Sequence, residues 1–115
     1  MSSYMQLTVK VRGYYQDRFE TTYPKIARHL SRIDEALVDA DPSLFDLVGM
    51  LDKLLYALDG NPDIKQILLK HKDKLVKLHQ EIQAYIADWE LTEADKALYT
   101  LEDAFDEIEW ELENT

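Results

Sequence analysis

The chain has no cysteine, three glycines and three prolines among 115 residues, and none of its apolar runs is long. Without cysteine there is no disulfide framework, no thiol nucleophile and no zinc–thiolate site. So little glycine and proline argues against a β-sandwich or barrel, which needs turn residues every ~8–12 positions. No stretch approaches the ~20 apolar residues that span a bilayer, and the first residues lack a signal-peptide core. Missing cysteines suit the cytoplasm. Glycine-rich phosphate loops and the HExxH pattern are also missing.

What is present points to a folded domain. Hydrophobic residues make up 46% of the chain, too many for a disordered polymer. The length, 115 residues, is that of one domain, and such a chain buries about two-thirds of its unfolded surface. Residues 1–115 are therefore read as a single helical bundle domain.

The formal charge of −10 is unevenly placed. Positions 1–87 balance, with 12 acidic and 12 basic side chains, whereas Asp88 to Thr115 holds 11 acidic residues against Lys96 alone. The middle is locally basic, with Lys65, Lys70, Lys72, Lys74 and Lys77. This pattern disfavours direct nucleic-acid or anionic-membrane binding. It suggests a basic helix beside an acidic one, with surplus acid left to attract a basic partner.

Helix starts are legible. Asp41-Pro42 and Asn61-Pro62 each put a capping acceptor before proline at the first helical position, and Thr92 with Asp95 resembles a capping box. These signals predict helices over 42–59, 62–90 and 92–113. Each carries an apolar stripe at helical spacing: Leu44, Leu47, Leu51, Leu54, Leu55 and Leu58 in the first; Ile64, Ile67, Leu68, Leu75, Leu78, Ile82, Tyr85, Ile86 and Trp89 in the second; Ala94, Ala97, Leu98, Leu101, Ala104, Phe105, Ile108 and Leu112 in the third. Upstream, Ile26, Leu30, Ile33 and Leu37 predict a helix to about Asp39. Its stripe runs back through Phe19 and Tyr15 across Pro24, so either Thr22 caps a separate helix with Pro24 in its first turn or one long helix kinks at the proline. Leu7, Val9 and Val11 alternate as a strand would, but a lone strand has no partner, so helix is favoured. The expected fold is all-α, an antiparallel up-and-down bundle of four to five helices.

Two helices carry aromatics opposite their core stripes. Tyr99 and Trp110 lie on the far side of the last helix, with Asp103 and Asp106 between them at 4-3-4 spacing. Phe45 and Tyr56 oppose the leucine stripe of the 42–59 helix. Either each helix packs on two sides, or these rings are anchors of a partner surface, where aromatics ringed by polar groups carry binding energy.

Chemistry is sparser. Paired Glu-x-x-His motifs of a di-iron bundle are missing. Asp39-Ala40-Asp41 opens like a calcium loop, but Leu44 stands where glycine is required and Met50 where the bidentate glutamate belongs. Neither metal nor cofactor is expected. His71 lies mid-stripe, where a core histidine bonded to a tyrosine or carboxylate is the natural reading. His29 lies at a stripe edge, with Lys25 and Arg32 one turn away. A phosphate-accepting histidine needs such cations, but Ile33 crowds the approach to it.

The sequence thus favours a non-enzymatic protein-binding module of inhibitor, immunity, chaperone or adaptor type. Its expected contact residues are Tyr99, Asp103, Asp106 and Trp110, with Phe45 and Tyr56 as a second surface. The partner would be a protein with a basic patch, or a second copy of the chain in a homodimer. Two alternatives are a histidine phosphotransfer-like domain using His29 and an acidic mimic of nucleic acid.

Overall fold

The computed structural model describes residues 11, 15, 18–58, 60 and 62–114, and the regular structure among them is entirely helical. In chain order the helices are α1 (Phe19–Thr22), α2 (Pro24–Ser31), α3 (Glu35–Asp39), α4 (Leu44–Gly49), α5 (Leu51–Ala57), α6 (Pro62–Ala87) and α7 (Leu91–Glu113). The two long helices form the frame. Lys70, near the start of α6, bonds to Glu111, near the end of α7, so the pair is antiparallel. Helices α2 and α4 pack on α7, while α4 and α5 pack on α6. None of the described helices is long and apolar enough to cross a membrane.

Most residues of the expected stripes meet in one apolar cluster, with Tyr85, Ile86 and Leu98 partly buried against it, but Trp89 lies beyond the end of α6 and is 51% exposed. Leu58, Ile64, Leu75, Ile82, Leu101 and Ile108 are fully buried, together with Phe19 from α1. Burying a leucine or isoleucine side chain is worth roughly 1.5–3 kcal/mol, so this cluster supplies the main favourable term.

The chain before α4 is more broken than its periodicity predicts. The stretch from Phe19 to Asp39 is divided at Tyr23 and again over residues 32–34. Proline ends the first piece because it cannot donate to a preceding turn. At the second break Asp34 accepts the Leu37 N–H at 3.3 Å and starts α3. A capping aspartate thus outweighs the apolar period: Val38 is buried there, and Ile33 and Leu37 are half-buried. Tyr15 and Val11 lie outside any helix yet pack against the core. The Leu7–Val9 alternation lies outside the described residues.

Two of the three expected helix starts also shift. Helix α4 begins at Leu44, not Pro42, and Ser43 Oγ caps it by accepting the Asp46 N–H at 3.0 Å. Asp41 is used elsewhere: with φ 49° it turns its carboxylate to accept the Phe19 N–H at 2.9 Å, at the start of α1. Arg18 holds the same carboxylate at 3.6 Å, and the Tyr15 hydroxyl donates to the Pro42 carbonyl. The 42–59 helix is interrupted at Met50. Helix α7 starts at Leu91, so Thr92 is its second residue, and Glu90 stands at the N-cap with no side-chain cap bond. The Pro62 start agrees with expectation; Asn61 lies outside the described residues.

Candidate functional site: the outer face of the last helix

Helix α7 runs unbroken over 23 residues, so its wheel is a reliable guide to faces. Ala94, Ala97, Leu101, Ala104, Phe105, Ile108 and Leu112 point into the core. Opposite them, Tyr99 and Trp110 are each 62% exposed. Eleven residues at ~1.5 Å per residue put these rings about 16 Å apart along the axis. Asp103 between them is exposed. Asp106 has a second task, because its Oδ1 accepts the buried Tyr23 hydroxyl at 3.1 Å. That bond ties Asp106 to the segment joining α1 and α2 and restrains its carboxylate.

The other expected surface is divided. Tyr56 on α5 is 87% exposed, but Phe45 is half-buried and stacks on the His79 ring, with centroids 4.3 Å apart and planes 17° apart. The break at Met50 also puts the two aromatics on different helices, Phe45 on α4 and Tyr56 on α5. His79 also sits against Gly49, where a side-chain Cβ would come within 3.2 Å of its Nε2.

The electrostatics of the α7 face are those of crowded acid. Glu102 is pushed above the ordinary carboxylate range by burial first and then by Asp106, Asp103 and Asp95. Charge pairing between the basic and acidic helices is partial. Lys70 reaches Glu111 at 2.5 Å, whereas Lys72 turns to Asp52 on α5 at 3.2 Å. Trp110 also lines an open groove between α6 and α7 with Gln66, Ile67, Lys70, Glu111 and Asn114.

The histidines separate into three environments. His71 is buried, and its Nε2 lies 3.0 Å from Glu111 Oε2, the core histidine–carboxylate pair that its position in the stripe suggests. Lys70 first, and then His71, hold Glu111 below the ordinary carboxylate range against the opposing effect of burial. His29 is half-buried, its Nδ1 has no hydrogen-bond partner, and burial followed by Arg32 and Arg28 lowers its pKa. The cations that act on His29 are Arg32, as expected, and Arg28.

One cluster escapes any search along single helices. Ligand atoms of His71, Glu107 and Glu111 lie within 4.8 Å of one another. The i, i+4 carboxylate pair on α7 was visible in the sequence, as was a histidine on a core stripe. Only the antiparallel register of α6 on α7 joins them.

No family model, curated protein or solved structure matches the chain. The functional reading therefore rests on the site's own residues.

Proposed function

We propose that this protein is a non-enzymatic protein-binding module, and that it docks a basic partner on the outer face of α7 through Tyr99, Asp103, Asp106 and Trp110. The observation that carries this reading is the exposure of two large rings, 62% each, on a helix face that is otherwise acidic. Buried at an interface, such rings supply large apolar area at little entropic cost. The surrounding carboxylates would chiefly accelerate encounter with a positively charged surface. On composition, the setting is the cytoplasm.

The test uses the full chain as bait in a native lysate, at low and high salt, beside Tyr99→Ala and Trp110→Ala baits. The reading expects a basic protein that is retained by the wild type, released by salt, and lost from both variants while their unfolding midpoints stay unchanged. Removing an anchor should cost about 2 kcal/mol or more, roughly thirtyfold in Kd. Equal recovery by all three baits would refute it. A light-scattering mass of two chains that reverts to one in Trp110→Ala would assign the face to a homodimer. Competition by oligonucleotides would instead indicate mimicry of nucleic acid.

A further inference from the structure

We propose that His71, Glu107 and Glu111 form a binding site for a divalent first-row transition cation, at the end of the bundle where α6 begins and α7 finishes. The inference is independent of the docking face.

Three features carry it. The donor set is one imidazole and two carboxylates, a combination of nitrogen and oxygen ligands suited to zinc and its neighbours. The spacing is close to that of a coordination sphere. Ligands ~2.0–2.2 Å from a metal stand about 3.0–3.5 Å from one another, and His71 Nε2 is already 3.0 Å from Glu111 Oε2. The third ligand atom lies within 4.8 Å, so a rotation of the exposed Glu107 side chain completes the set. Finally, the place wants positive charge. Helix α7 has no basic residue in its last turn, and its C-terminal dipole favours a cation there.

Lys70 now supplies part of that charge, with Nζ 2.5 Å from Glu111 Oε1. Its side chain is 65% exposed, so it can swing into solvent when a metal takes the carboxylate. Ammonium and metal then compete for Glu111. This competition separates a metal site from a plain ion-pair network, in which removing Lys70 brings no new binding.

The experiment is calorimetric titration of the full chain with Zn2+, repeated on Glu107→Gln, His71→Gln, Lys70→Gln and Glu113→Gln. The expected result is one equivalent bound. Glu107→Gln and His71→Gln should weaken it by about tenfold or more, Lys70→Gln should tighten it, and Glu113→Gln should leave it unchanged. Failure of the wild type to bind Zn2+, or undiminished binding by Glu107→Gln, would overturn the proposal. If His71→Gln does not fold, Glu107→Gln still decides, because that side chain is exposed.

Discussion

The carboxylate of Glu109 accepts the backbone N–H of Ile26 at 3.0 Å across 83 positions of sequence. Its second oxygen accepts the Lys25 N–H at 2.5 Å. Glu109 is buried, and both donors belong to the first turn of α2, just behind Pro24. A charged side chain of α7 thus caps another helix, satisfying two N–H groups that no carbonyl can reach. Glu109→Ala would leave the buried Ile26 N–H and the part-buried Lys25 N–H unpaired, and should cost about 2–3 kcal/mol. Glu109→Gln, which keeps one acceptor oxygen, should cost less. Urea unfolding of both variants checks the order.

This contact also shows where sequence reading stops. Glu109 looks like one more acid on an acidic helix, and Thr22 looks like the local cap before Pro24. The Thr22 hydroxyl instead donates to the Arg18 carbonyl at 2.9 Å, and the cap comes from the far end of the chain. The long helices and the core stripes were legible because period and burial agree over many turns. The pieces from Phe19 to Ala57 were not, because Asp34, Asp41 and Met50 break a period that still looks continuous. In the candidate site, the α7 wheel placed Tyr99 and Trp110 outward. No local signal showed that Asp106 would hold Tyr23 or that Phe45 would stack on His79.

Trp89 closes α6 in the left-handed region, with φ 58°. The Glu90 N–H reaches the Tyr85 carbonyl at 2.8 Å and the Trp89 N–H reaches Ile86 at 3.1 Å, the pair of bonds that usually places glycine at this position. A side chain with a Cβ costs ~1–2 kcal/mol there, and the indole is 51% exposed, so it returns little burial. Trp89→Gly should therefore raise stability by about 1 kcal/mol, read as a higher urea midpoint at unchanged slope. A loss of stability would mean that the ring contributes more packing than its exposure suggests.

His29 and His79 give the fold an acid sensitivity near neutrality. Burial lowers both pKa values below the usual 6.5; Arg32 and Arg28 add to the effect at His29, while Asp63 at His29 and Asp46 at His79 partly offset it. Below 6.5 the unfolded chain takes up protons that the folded chain resists. The stability is therefore fully present above the unfolded pKa and is lost as pH falls through the lower folded values. The urea midpoint should drop between pH 7.5 and pH 5, and a double His29→Gln, His79→Gln variant should flatten that window. The depressed Glu111 pKa acts below its ordinary 4.5, so its loss belongs to a separate, more acidic step.

Glu102 links the acid crowding of α7 to the proposed docking. Its pKa is raised by burial and then by Asp106, Asp103 and Asp95. Its contribution to stability is thus present below the unfolded value of 4.5 and is lost as pH rises through the folded value. At neutral pH the charged carboxylate works against the fold, and Glu102→Gln should raise the melting temperature. That gain should fade as pH falls toward 4. Added salt should also shrink it, because the repulsion from exposed neighbours is screened over about a Debye length. If the charge is there for a basic partner, the same variant should slow association while leaving dissociation nearly unchanged. An altered dissociation rate with normal association would make Glu102 a direct contact rather than a source of attraction.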